Sequence, residues 1–308
     1  MAPPLPSDSG PSRRSFLAAT AAGAAGALIG CRTKPGYEPV GRVSEAHVAP
    51  GREKGARAPA LFVGHGSPMT ALDPVAGGRW ASWTASFAKP RAVLVVSAHF
   101  ELAPLTIGAT TPVPLIYDFY GFPDELSAVR YAAPGAPRLA DDVAKRLAGV
   151  TEVDRDPERG LDHGAWVPLS WMYRAADVPV LTVSMPTDDP RRLIAIGRAL
   201  APLRDEGVAI LCSGNVTHNL GRLGGDATPA WASDFDAWCA DAVLRRDVDA
   251  FTTWRSKAPA ARMAHPSTEH FTPLLVALGA ALDDGSKVTF PLTGFEGGSI
   301  SRRCVQFG

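Results

Sequence analysis

The strongest constraint on the fold is a set of four short runs rich in Val, Leu and Ile, at residues 60–63, 92–96, 178–183 and 208–212. Each is too brief for a helix and apolar throughout, which is the pattern of a strand covered on both faces. Between and after them, residues 137–147, 190–204, 234–244 and 268–282 carry apolar positions at helical spacing. Strands alternate with helices in this way when the helices pack on the two faces of a sheet. The predicted fold is therefore α/β, a single three-layer domain with a central mixed sheet flanked by helices. Two late stretches, 288–292 and 303–307, are expected to add at an edge. A chain of 308 residues that is 46% hydrophobic has ample material for such a core. Its formal net charge of zero leaves no electrostatic footprint for nucleic acid, so a small-molecule partner is expected.

The first 31 residues are of a different kind. Arg13 and Arg14 stand directly ahead of an Ala- and Gly-rich apolar stretch that closes on Leu28-Ile29-Gly30-Cys31. The stretch is too short for a comfortable membrane span and reads as a twin-arginine export signal with a lipobox-like end. The expectation is an extracytoplasmic or periplasmic lipoprotein, anchored through lipid on Cys31. Residues 32–58 are polar and aperiodic, a flexible tether that includes His47, and the folded domain is expected over 59–308. Cys212, Cys239 and Cys304 show no paired spacing; Cys212 lies in an apolar run as a small core residue, and nothing in the sequence demands a disulfide.

Seven histidines occur, and most fall in small-residue turns. His65 follows the first apolar run in Gly64-His65-Gly66-Ser67-Pro68, His99 follows the second, and His218 the fourth. In open α/β sheets ligands bind beyond the carboxyl ends of strands, so these three are expected to converge on one sheet edge. His163 sits in Gly160-Leu161-Asp162-His163-Gly164, a loop leading into a hydrophobic segment. His270 is expected in the first turn of the last long helix, with Ser267 or Thr268 as its cap. His265 has no Gly neighbour and is assigned a structural role. Clustered imidazoles suit Zn, Cu, Ni and Fe alike, so the residues alone leave the metal open. Neither an HExxH motif nor a Gly-x-Ser-x-Gly elbow occurs, and Ser67 is expected to serve a turn hydrogen bond. A zinc-dependent hydrolase and a non-catalytic metal-binding lipoprotein stand as rival readings.

Taken in order, residues 59–69, 95–100, 117–123, 161–166, 213–220 and 268–271 resemble the class III extradiol ring-cleaving dioxygenases, most closely the DOPA 4,5-dioxygenase type. The resemblance covers about 59–308. It implies a non-haem Fe(II) enzyme, with zinc able to occupy the same site, that opens the ring of a DOPA-like catechol with O₂. It also implies His65, His99 and His270 as metal ligands, with His218 as the catalytic acid/base or a fourth ligand. His163 would assist at the substrate, with Asp162 orienting its ring, and Tyr117 and Phe119 would wall the pocket. Glu269 is the carboxylate that could replace His270, since other branches of the superfamily use two histidines and a carboxylate.

Overall fold

The computed structural model describes residues 57–225 and 227–308. The export signal with Cys31, and the tether with His47 apart from its last two residues, lie outside the described residues. Arg57 and Ala58, expected in the tether, already belong to the fold. The Ala58 amide donates to Arg204 O at 2.9 Å, and Arg57 pairs with Asp205 at 3.0 Å and Asp284 at 3.3 Å.

Ten strands form: β1 Ala60–Gly64, β2 Ala92–Glu101, β3 Leu105–Ile107, β4 Val153–Arg155, β5 Val180–Met185, β6 Val208–Gly214, β7 Val288–Thr289, β8 Phe295–Glu296, β9 Ile300–Ser301 and β10 Val305–Phe307. Eight of them make one mixed sheet in the order β4-β3-β5-β2-β6-β1-β10-β7, and β8 and β9 pair separately. The four runs that dominate the sequence are its parallel centre, β5-β2-β6-β1. The late strands β10 and β7 add antiparallel at one edge.

The six longer helices are α1 Pro74–Thr84, α2 Pro137–Leu147, α3 His163–Met172, α4 Pro190–Leu200, α5 Ala230–Arg245 and α6 Pro273–Gly279. Successive strand residues face opposite sides of a sheet, and the two cores follow that alternation. Phe62, Leu94 and Ile210 pack with the apolar faces of α2, α4, α5 and α6. Leu61, Val63, Val93, Val95 and Leu211 pack on the other side with Trp80 and Trp83 of α1 and Trp166 and Leu169 of α3. Among the described residues no helix is long and apolar enough to cross a membrane.

Three expectations need correction. Strand β2 runs on to Glu101, so His99 lies inside the strand, in an extension that follows a register shift after Val96. Helix α6 begins at Pro273 rather than 268, because the 268–272 segment closes in tight turns and Thr272 makes no side-chain cap. His270 therefore sits in the turn before the helix. Residues 163–172 are helical although no helical period marks them: every residue from His163 to Leu169 is buried, which leaves no polar face to reveal the spacing.

Candidate active site

Strands β1, β6 and β2 are neighbours and parallel, so their carboxyl ends lie side by side. Register pairs Ser97 with Ser213 and Gly64 with Gly214, which sets His65, His99 and the loop after β6 at one level. The His270 turn joins them through backbone: Asn215 N donates to His270 O at 2.8 Å. That approach needs Gly214, since a Cβ there would stand 2.1 Å from His270 O. Gly164, in the first turn of α3, similarly lets His99 close in, because a Cβ would lie 2.9 Å from its ring. The His218 loop is pinned by its own amide to Ala264 O at 2.9 Å and by Asn219 Nδ2 to Met263 O at 2.7 Å.

Five imidazoles meet as a result. Ring centroids of His65, His99 and His270 lie 5.2, 5.3 and 4.9 Å apart pairwise. His163 lies 4.0 Å from His99, and His218 stacks flat on His270 at 3.5 Å and 8°. Potential ligand atoms fall into two tight sets, His65–His99–His163 and His218–Glu269–His270.

Hydrogen bonds fix which ring nitrogens face the pocket. The Ser213 hydroxyl donates its single proton to Gly164 O at 2.5 Å, so it can only accept from His65 Nδ1 at 2.9 Å. That leaves His65 Nε2 as a lone pair. His270 Nδ1 donates to Glu269 Oε1 at 2.8 Å, and His163 Nδ1 donates to Asp118 Oδ1 at 2.8 Å, with the same consequence for their Nε2 atoms. His65 Nε2 and His99 Nε2 face each other across 3.4 Å, a separation that two lone pairs tolerate only with a proton or cation between them. His218 differs: among the described residues no protein hydrogen bond reaches its ring.

Electrostatics point the same way. Burial first, and neighbouring imidazoles second, push His65 well below the ordinary range, His99 down to about 2 and His218 to about 3. Burial also lowers His270, against the pull of Glu269. Burial works against ionisation of Asp118 and Glu269, but the hydrogen bonds from His163 and His270 outweigh it and hold both carboxyls at about 2. The pocket at neutral pH is thus a set of neutral, lone-pair-bearing imidazoles backed by carboxylates, a donor set suited to a borderline divalent cation.

These five rings line a cavity of about 850 Å³ together with aromatic Phe119, Tyr120 and Phe122 and aliphatic Leu220, Leu223 and Ile300. Phe119 lines it; Tyr117 and Asp162 do not, which corrects the sequence reading. Tyr117 packs behind Phe119 and Trp166, its hydroxyl donating to Val129 O at 2.7 Å. Asp162 is the N-cap of α3, so its carboxylate turns back over the helix amides, accepting from Ala165 N at 3.2 Å, Ser97 Oγ at 2.6 Å and Arg159 at 2.9 Å. Asp118 is the carboxylate behind His163, and its second oxygen lies 3.4 Å from His99 Nδ1. An acid set between the aromatics of Tyr117-Asp118-Phe119, in a segment expected to wall the pocket, was the available signal for it. Glu269 backs His270 through the hydrogen bond above, while also accepting from Ser267 Oγ at 2.9 Å. His265 is buried outside the site, its Nε2 2.7 Å from Val216 O and its ring among Phe235, Trp254 and Phe271. Ser67 serves its turn, accepting from Met69 N at 3.2 Å, and Cys212, Cys239 and Cys304 are buried thiols.

Comparison with known proteins agrees with this architecture. Residues 73–300 match the family described as the catalytic LigB subunit of aromatic ring-opening dioxygenase. The 4,5-DOPA dioxygenase extradiol of Beta vulgaris is 40% identical over 256 residues, which cover 80% of this chain and 95% of that protein. The protein of the same name from Escherichia coli K12 is 38% identical over 269 residues, covering 82% and 95%. The crystal structure of an uncharacterized protein from Escherichia coli K12 superimposes with a TM-score of 0.68 at 32% identity, covering 82% of this chain and all of that one. Neither the hydrolase nor the non-catalytic reading draws support from these relatives. The chain belongs to the LigB family of aromatic ring-opening dioxygenases, in its DOPA 4,5-dioxygenase type, and is an extradiol ring-cleaving dioxygenase.

Proposed function

We propose that the five-histidine pocket holds Fe(II) and that the enzyme opens the ring of a DOPA-like catechol beside its hydroxyls, consuming O₂. The observation that carries the reading is the convergence of five buried or half-buried imidazoles, of which His65 and His270 have their outward nitrogens already fixed as lone pairs. His65, His99 and His270 would hold the ion, each turning one nitrogen inward while Ser213, Asp118 or Glu269 stands behind the other. When bound, Fe(II) would supply open coordination positions and the redox change that oxygen chemistry needs, which Zn(II) lacks.

The rest falls to the chain itself. Among the described residues His218 has no hydrogen-bond partner on either ring nitrogen, so it is free to take a catechol proton and to return one later. Its low basicity in the free pocket follows from burial first and the stacked His270 second. His163, with Nδ1 committed to Asp118, leaves Nε2 for a hydrogen bond with a catechol hydroxyl. Phe119, Leu220 and Leu223 in the lining would give a flat ring apolar surface to lie against.

Anaerobic loading with Fe(II), followed by oxygen uptake with catechols, tests the whole reading; no uptake with any catechol rejects it. His218→Ala should abolish turnover yet keep most of the iron, and loss of iron as complete as in His65→Ala would make His218 a ligand. We further propose that the chain is exported by the twin-arginine route and lipidated at Cys31, on the strength of Arg13-Arg14 and the Leu28–Cys31 segment. The mass of the mature N-terminus checks this: an unprocessed Met1 in membrane-free fractions would refute it.

A further inference from the structure

The proposal here rests on the catechol reading above and concerns what the catechol carries on its ring. The cavity has a one-sided charge. Among the described residues its wall includes three carboxylates, Asp118, Glu269 and Glu296, and neither a lysine nor an arginine. Three neutral donors of the lining are committed elsewhere: Ser267 Oγ to Glu269 at 2.9 Å, Asn219 Nδ2 to Met263 O at 2.7 Å, and Ser67 N to Glu296 Oε2 at 3.1 Å. Two cations stand behind the wall: Arg159, held by His99 O at 2.8 Å and Asp162 Oδ2 at 2.9 Å, and Arg302. Arg302 Nη1 donates to Glu296 Oε2 at 2.8 Å and to Thr70 Oγ1 at 2.9 Å, and its guanidinium lies over Trp80 at 5.1 Å. Arg222, on the Leu220 loop, is exposed and outside the lining.

The three acids are not equivalent. Asp118 and Glu269 are bound to His163 and His270. Glu296 is hydrogen-bonded to none of the five imidazoles, is about one-third exposed, and its Oε2 takes both the Arg302 and Ser67 bonds. Oε1 has no protein partner among the described residues and is left for something else. A ring substituent ending in an ammonium would find a carboxylate there. One ending in a carboxylate would meet like charge and, among the described residues, no lysine or arginine in the lining.

We propose that Glu296 sets substrate choice, and that the enzyme takes catechols bearing a protonated amine in preference to those bearing a carboxylate alone. Zwitterionic side chains such as that of DOPA fall between the two.

The test is a substrate series of matched size on Fe(II)-loaded enzyme near pH 7 and low ionic strength: 4-(2-aminoethyl)catechol, 4-ethylcatechol and 3-(3,4-dihydroxyphenyl)propanoate. Oxygen uptake should give a kcat/KM about tenfold higher for the amine than for the propanoate, the scale of one partly exposed ion pair formed and one repulsion avoided, with ethylcatechol between. The gap should narrow as salt is raised. Glu296→Gln keeps an oxygen for Ser67 N but leaves Arg302 unopposed, so the amine-to-propanoate ratio should collapse or invert relative to ethylcatechol. A propanoate as good as the amine, or a ratio indifferent to both salt and Glu296→Gln, overturns the proposal. If no compound is consumed, the ring-cleavage reading with iron fails instead. Calorimetric titration of the same compounds into zinc-loaded protein then decides the charge preference: tighter amine binding upholds it, and equal or absent binding overturns it. The wild-type series alone is decisive should the variant not fold.

Discussion

Gly214→Ala is the substitution that separates a designed convergence of imidazoles from a chance one. The added Cβ would lie 2.1 Å from His270 O and 3.0 Å from His270 C. A carbon-to-carbonyl-oxygen contact relaxes to roughly 3.3 Å, so the His270 backbone must retreat by about 1 Å. The partner atom is backbone, held by the Asn215 amide at 2.8 Å, and cannot swing aside as a flexible side chain would. The retreat stretches that hydrogen bond, at a cost of about 1 kcal/mol, and carries the His270 ring out of line with His65 and His99. Sites of this kind tolerate displacements of about 0.5 Å. The expected outcome is a loss of metal affinity of about 10–100-fold and of turnover by about 100-fold, while the fold survives because Gly214 ends β6 rather than filling the core. Metal content after competition with a chelator, oxygen uptake at saturating iron, and circular dichroism read the three consequences separately. Metal affinity and turnover both within about threefold of wild type would refute the argument that the His270 turn must lie against this strand end.

Four other outcomes follow from the same geometry. Asp118→Ala should cut kcat by about 10–100-fold, with metal content measured alongside, because it frees the His163 ring and removes the carboxylate 3.4 Å from His99 Nδ1. Tyr117→Phe should lower thermal stability by about 1 kcal/mol yet leave kcat and KM nearly unchanged, since the hydroxyl bonds Val129 O behind the wall; a tenfold kinetic effect would return Tyr117 to the pocket. Phe119→Ala should raise KM for simple catechols several-fold with a smaller effect on kcat, as checked by initial rates of oxygen uptake. Metal-free protein should lose stability as pH falls below about 6.5, where unfolded histidines gain protons that His65, His99, His218 and His270 refuse when folded. The loss should continue toward pH 3, and a denaturation midpoint flat from pH 6.5 to 4.5 would contradict the depressed values.

Much of this arrangement is legible in the sequence, for identifiable reasons. The parallel centre of the sheet shows because β1, β2, β5 and β6 are buried on both faces and so read as unbroken apolar runs. His65 and His218 can be located because each follows such a run within a few residues. Helix α3 escapes because complete burial erases periodicity, and β3 and β4, three residues each, are too short to carry any. The assignment of Asp162 to His163 fails for a local reason. Adjacency in sequence looks like a partnership, but a residue just ahead of a helix turns its carboxylate onto the helix amides. The true partner, Asp118, is far away in the chain, and only the tertiary fold brings the 111–123 loop over the mouth of α3.

Burial links the folding of this site to its chemistry. An imidazole in water is half protonated near pH 6.5 and competes poorly for a cation. Packed against each other and away from solvent, His65, His99 and His270 are kept neutral, and Ser213 and Glu269 decide which nitrogen of His65 and of His270 stays bare. His65 Nε2 and His99 Nε2 face each other across 3.4 Å, close enough to share one proton in the free pocket, a proton that a bound cation would replace. A cation that binds the folded pocket and not the unfolded chain stabilises the fold, so affinity for the ion and stability of the domain rise together. His218 stands apart from these fixed partnerships. Among the described residues it is the one ring of the five with neither nitrogen held by a hydrogen bond, and a group that must pass a proton in both directions has to be left unheld.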